Sequence, residues 1–154
     1  MTLSPDEVAG VVDLFGALTH AELATALEEL GYRRDEPIPD SDVRAAVDAY
    51  ALVAYEPVDA AGERLAVGPA AFPTLPEGAE DLPHILDVDA RAPNRAALAT
   101  AAERQFRADV ARAVDAGDAE RIRRLLDVSY DLEAWGDVNL AALRDRLDEA
   151  LATD

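Results

Sequence analysis

The chain has 154 residues, of which 32 are acidic and 14 basic, for a formal net charge of −18, and half of its residues are apolar. That length bounds one domain, or a small domain with an appended helical unit, and the apolar share is enough to bury a core. Every basic residue is Arg and no Cys is present, which excludes disulfides, thiolate chemistry and Cys-type zinc sites.

The first element opens S-P-D-E at positions 4–7: Ser4 can cap, Pro5 suits the first helical position, and Glu7 closes a capping box. Val8, Val11, Val12 and Phe15 then share one helical face, with Gly16 as the stop. T-H-A-E at 19–22 repeats this grammar, followed by Leu23, Ala26, Leu27 and Leu30 and a second stop at Gly31. Only Ala17 and Leu18 separate the two helices, so a sharp turn is expected there. Pro37 and Pro39 mark a loop, after which Asp40 or Ser41 can cap a third helix carrying Val43, Ala46, Val47 and Tyr50.

Beyond it the pattern changes. Residues 52–56 and 64–67 are short, rich in β-formers and separated by a turn with Asp59 and Gly62, which reads as a β-hairpin. Three helices followed by a hairpin give a winged-helix-like unit over residues 1–69; a plain helical bundle with an irregular loop is the alternative. Residues 70–93 are rich in Pro and read as a packed linker anchored by Phe72, Leu75, Ile85 and Leu86. Residues 94–154 form a C-terminal helical unit. Leu98, Ala102, Phe106, Val110 and Val114 step by four up to Gly117, and Asp118 opens a helix with Ile122, Leu125 and Leu126. YDLEAW at 130–135 reads as core, and Asn139 can cap a last helix striped by Leu140, Leu143, Leu147 and Leu151. The fold class expected is therefore mainly α, a winged-helix-like unit followed by a helical one.

The acids lie within segments that keep apolar residues at helical spacing, the mark of a folded acidic protein and not of a charged tail. Such a surface repels itself in dilute buffer, whereas near 1 M salt the Debye length falls to about 3 Å. The composition thus suits concentrated salt, though an acidic protein of a GC-rich genome would share it. With no secretory leader and apolar runs too short to span a bilayer, the expected location is cytoplasmic, with no membrane partner.

Chemistry finds little footing. His20 and His84 belong to no cluster, Ser4, Ser41 and Ser129 lack a nucleophile-elbow context, and no GxxxxGK[ST] or GxGxxG is present. Asp87 and Asp89 alternate as in some cation loops, but the remaining ligands of such a loop are missing. No catalytic residue, metal ligand or cofactor is expected, and the chain reads as a non-enzyme. A winged helix that bound DNA would carry cations on its third helix and wing; the candidates are Arg33, Arg34, Arg44 and Arg64, set among Asp42, Asp48, Asp59 and Glu63. Eight Arg against five acids gather between positions 91 and 126, where they either pair with acids of their own helices and of the N-terminal half or offer a surface to an anion or nucleic acid.

The run DEVAGVVDLFGALTHAELATALEELGYRRDE and the C-terminal RRLLDVSYDLEAWGDVNLAALRDRL resemble a group of small uncharacterised haloarchaeal proteins. The resemblance implies an extreme halophile and a cytosolic location and carries no activity or catalytic residue with it; in layout the chain also resembles winged-helix regulators. The expected function is that of a regulatory or adaptor protein acting through a protein partner or a homodimer, through an apolar patch near Val58, Ala60 and Ala61. A DNA-binding transcriptional regulator is the alternative.

Overall fold

The computed structural model describes residues 2–58 and 60–152; Asp59, expected in the hairpin turn, lies outside them. The elements run α1 (Pro5–Asp13), β1 (Ala17–Thr19), α2 (His20–Arg33), α3 (Ser41–Asp48), β2 (Leu52–Tyr55), β3 (Arg64–Val67), α4 (Leu82–Ile85), α5 (Arg95–Ala116), α6 (Ala119–Trp135) and α7 (Ala141–Ala152). The molecule is mainly helical, built around a small antiparallel sheet in the order β1-β3-β2.

Both capping boxes form as their spacing predicts. The Ser4 hydroxyl accepts from the Glu7 N–H while Glu7 accepts from the Ser4 N–H, and Thr19 and Glu22 do the same. The expected sharp turn between the first two helices is in fact a strand. Gly16, at φ +83°, turns the chain, and Ala17, Leu18 and Thr19 pair with Ala66, Leu65 and Arg64 of β3. Three residues are too few for a period of two to show in the sequence.

The sheet is buried on both faces, with side chains alternating strictly between two cores. Leu18, Leu52 and Leu65 face α1, α2 and α3, joining Val8, Val11, Phe15, Leu23 and Leu30. Ala17, Val53, Tyr55 and Ala66 face the other way, onto Leu98, Phe106, Ile122, Leu132 and Leu147 of the last three helices. Tyr50, expected on the stripe of the third helix, lies beyond the end of α3 at φ +62°. That turn sends its ring into the second core, edge-on to Phe106 with centroids 6.2 Å apart. Gly117, at φ +62°, ends α5 in a left-handed cap.

The linker packs, but of the expected anchors only Leu86 takes part, at the edge of the first core. Phe72 is 80% exposed, Leu75 and Ile85 are exposed too, and Leu86 is half-buried, whereas Ala79 and Leu82 enter the first core. His84, beside them, is exposed, although its place in the linker suggests packing. Much of the docking is by backbone: the Thr74 N–H donates to the Asp6 carbonyl at 3.0 Å, the Phe72 N–H to Asp6 Oδ1 at 3.0 Å, and the Arg91 N–H to the Phe15 carbonyl at 2.8 Å. In YDLEAW only Leu132 is fully buried; Tyr130 is 62% exposed under the Arg144 guanidinium, because steps of three and four residues put Leu132, not Tyr130, in line with Leu125 and Val128.

Candidate functional site

Among the described residues only two carboxylates are buried, Asp42 and Asp109. Asp42 Oδ2 accepts from the Leu3 N–H at 2.7 Å. Asp109 ties the segment after α3 to α5 and α6: Tyr50 donates its hydroxyl to Oδ2 at 2.5 Å, Arg121 reaches the same oxygen at 3.2 Å, and Arg112 holds Oδ1. Burial, and then the Asp109 hydrogen bond, push the Tyr50 hydroxyl far above its ordinary pKa, so it stays a donor. Every group in this knot has a partner, which makes it a structural joint. It also secures α3, whose last carbonyls accept from side chains of the C-terminal helices: Gln105 to Val47 at 3.0 Å and Arg121 to Asp48 at 3.0 Å.

The Arg-rich stretch is largely consumed by pairing. Arg107 meets Glu103 at 2.9 Å, Arg124 meets Glu120 at 3.5 Å, and Arg112 and Arg121 meet Asp109. The four Arg singled out for nucleic acid do not come together in one cleft. Arg33 is ion-paired to Glu29 and Asp81, both at 3.6 Å; Arg34 is half-buried at the C-terminal end of α2; Arg44 is exposed on α3; and Arg64 lines a cleft on the other side of the sheet.

The open concave surface runs between α2 and α3. A groove of about 590 Å³ has an apolar floor of Ala24 and Leu27 from α2, Val43 and Val47 from α3, and Ala54 from β2. Positions 24 and 27 on one helix and 43 and 47 on the other are three or four apart, so each helix contributes one stripe. The small side chains at 24 and 54 leave the depth. His20 and Glu63, 2.7 Å apart, bridge the start of α2 to the hairpin at one end. A second hollow of about 480 Å³ shares Ala24, Leu27 and Asp40 and continues along α2 past Glu28 to Asp35 and Glu36. Tyr32, 83% exposed, stands on that wall. From His20 to Tyr32 the trough follows α2 for about 18 Å, at 1.5 Å per residue.

The rim is strongly acidic. Asp40, Asp48 and Glu63 flank the groove, Glu28, Asp35 and Glu36 the hollow, against Arg44 alone among the arginines. No sequence signal marked this trough, because Leu27, Val43 and Val47 were read as inner faces of their helices; Val43 and Val47 are in fact only half-buried. Val58, Ala60 and Ala61 are exposed as expected, Val58 to 80%, but none of the three lines the trough. No group of three metal-ligating side chains gathers among the described residues, and no described helix is long and apolar enough to cross a membrane.

The profile of a family described as a family of unknown function (DUF7109) matches residues 6–152. No curated protein and no solved structure matches the chain.

Proposed function

Because the chain belongs to that family, whose function is unknown, no activity is inherited from it, and we propose that it is a non-enzymatic adaptor or regulatory protein that docks a basic amphipathic helix of a protein partner. The observation that carries this reading is the trough between α2 and α3: an apolar floor, a length of about three helical turns and a rim of carboxylates. An apolar stripe with anchors at i, i+3 or i+4 and i+7 would fill the floor, and Arg or Lys on its flanks would meet the rim.

The scaffold of this proposal is a winged helix. Its support is the order helix, strand, helix, helix, strand, strand with the sheet ordered β1-β3-β2, in which α3 takes the place of the recognition helix and β2–β3 that of the wing. The acidic surface and the absence of Lys further support a cytoplasmic protein of a halophile, working in concentrated salt. A second reading, DNA binding, rests on Arg44, the one cation exposed on α3; Asp40 and Asp48 beside it oppose phosphate.

Selection from a library of helical peptides in molar KCl tests the adaptor reading. Selected peptides are expected to carry spaced Leu or Ile with flanking Arg or Lys, and Ala24→Glu to weaken them by about tenfold or more, as expected for a charge buried in an apolar site, with the melting curve unchanged. Failure to select any peptide, or binding indifferent to Ala24→Glu, sinks the reading. A parallel selection of DNA duplexes whose binding is abolished by Arg44→Gln would favour the regulator instead.

A further inference from the structure

On the opposite side of the sheet from the trough lies a polar cleft of about 570 Å³, formed where the hairpin meets the end of the linker. Its walls are Tyr55, Pro57 and Val58 from the hairpin and Ala92, Pro93 and Asn94 from the linker, and two guanidinium groups, Arg64 and Arg91, line it. No carboxylate lines it among the described residues, in a chain that carries 32.

The two arginines are in different states. Arg91 is fixed: its Nη1 donates to Glu22 Oε1 at 2.5 Å and to the Ala17 carbonyl at 3.3 Å, and its Nη2 donates to Glu22 Oε2 at 2.9 Å. A guanidinium has five N–H donors, so two remain beyond these three. Arg64 sits on β3 opposite Tyr55 and Thr19, half-buried, and makes no ion pair or side-chain hydrogen bond among the described residues. Its Nε is the one buried side-chain polar atom among the described residues left without a partner. A buried, unsatisfied donor on a cation costs more than a neutral one, and native structures rarely leave one without an ion, water or ligand to accept from it. Asn94 spends its Oδ1 on the Ala97 N–H at 2.9 Å, so its amide NH₂ is a further donor at the cleft wall.

We propose that this cleft is a binding site for an oxyanion, a phosphate group held between the forks of Arg64 and Arg91 with Asn94 beside it. The planar Arg64 guanidinium can match two phosphate oxygens at once, and the two N–H groups that Arg91 keeps beyond its bonds to Glu22 and Ala17 add donors on the facing wall. The source is free phosphate or the phosphate of a small molecule. The second has room: a hollow of about 610 Å³ continues past Tyr55, Val58 and Asn94 toward Thr100 and Arg104, with Glu56 and Glu63 on its wall, which suit the hydroxyl groups of such a molecule and not a second phosphate. The site is independent of the trough, separated from it by the sheet, so either proposal stands if the other fails.

Titration of the whole chain with inorganic phosphate in molar KCl, read by calorimetry and ³¹P line width, tests this. Saturable binding to one site is expected, weakened about tenfold to a hundredfold by Arg64→Gln, the range for a hydrogen bond between charged groups, and unchanged by Arg123→Gln on the exposed face of α6. If Arg64→Gln does not fold, Arg64→Lys retains the charge without the fork and is expected to bind several-fold more weakly than the parent. Glycerol phosphate binding more tightly than inorganic phosphate assigns the site to a phosphorylated small molecule, and equal binding assigns it to the free ion. No saturation in the parent chain, or equal losses in the Arg64 and Arg123 variants, overturns the proposal.

Discussion

On the side of α1, α2 and α3 the sheet meets an apolar core, Leu18, Leu52 and Leu65 against valines, leucines and Phe15, with Asp42 the one carboxylate among the described residues buried at its margin. On the side of α5, α6 and α7 the apolar layer is pinned by directional contacts: Tyr50 to Asp109, Arg121 to Asp109 and to the Asp48 carbonyl, Gln105 to the Val47 carbonyl. Apolar packing is non-directional and holds a unit together, whereas a buried hydrogen-bonded knot fixes the angle at which one unit meets another. The C-terminal helices therefore do more than cover the sheet. By holding the last carbonyls of α3 they set one wall of the trough, so the surface proposed for binding depends on residues more than fifty positions away.

The two sides also differ in charge. Residues 1–69 carry fourteen acids against four Arg, residues 94–154 thirteen against nine. Dilution from molar to millimolar KCl should have the largest effect of all, lowering the melting temperature and opening the N-terminal side first, where fewer cations offset the repulsion. Hydrogen exchange at low and high salt resolves the order, and a melting temperature flat in KCl removes the concentrated-salt proposal. Next comes Asp109→Ala, which strips a buried charge from Arg121 and leaves the Tyr50 hydroxyl unpaired; a loss of about 3–5 kcal/mol is expected in chemical denaturation. Tyr50→Phe removes one hydrogen bond and should lose only about 1 kcal/mol. Equal losses in the two variants would mean that Asp109 does no more than accept the Tyr50 hydroxyl.

Two glycines sharpen the contrast between the sides. Gly16 sits at φ +83°, and a Cβ there would lie 1.8 Å from the Arg91 carbonyl oxygen, where the linker docks by backbone. Gly117 sits at φ +62° with nothing within 4 Å of an added Cβ. Gly16→Ala should cost about 3 kcal/mol, from left-handed strain plus a clash with backbone that cannot move aside. Gly117→Ala should cost about 1 kcal/mol, from the left-handed cap alone. Thermal melts in molar KCl compare the pair, and a Gly117 variant as damaged as the Gly16 one would show that the close approach of the linker contributes nothing.

Most helices were legible from their apolar period and their caps: S-P-D-E and T-H-A-E before the first two, Gly117 after the long one, Asn139 before the last. The expected stop at Gly31 and side-chain cap at Asp40 or Ser41 did not hold, since α2 runs on to Arg33 and α3 starts without a side-chain cap, and the four residues of α4 carry no period. The hairpin was legible as a break in that period. β1 was not, since Ala17 to Thr19 is shorter than one repeat of any pattern and owes its state to β3, some fifty residues on. Nor was the linker's mode of docking, because main-chain hydrogen bonds such as Thr74 to Asp6 leave no trace in side-chain type. Phe72 looked like an anchor by its chemistry and is exposed by its place. The trough and the Arg64 cleft escaped for the same reason: each is made by side chains far apart in sequence, and a helical period says which residues share a face without saying what lies opposite. Among the Arg-rich residues, of the two readings left open the pairing one fits Arg107 with Glu103 and Arg124 with Glu120, each four residues apart on its own helix.

Acid should separate the two sides by a smaller margin, through Glu22. This carboxylate closes the capping box of α2 and also receives both forks of Arg91, and those hydrogen bonds, Arg91 first, hold its pKa at about 2 against an ordinary 4.5. A folded-state pKa below the unfolded one means that the stabilisation is fully present above about pH 4.5 and is lost as the pH falls toward 2. Glu22→Gln isolates the charge, because Gln also serves at the third position of a capping box. At neutral pH the variant should be less stable by about 1.5 kcal/mol, the scale of a charge-assisted hydrogen bond, and the gap should close as the pH falls through that window. Glu133, whose pKa is lowered by Arg144 at the α6–α7 rim, is the matched control on the other side. Its replacement by Gln should shift the acid limb less, since Arg144 and Glu133 join neighbouring helices of one unit while Arg91 and Glu22 tie the linker to the N-terminal core. A gap between parent and Glu22→Gln that stays constant down to pH 2 would show that the ion pair contributes no pH-dependent stability.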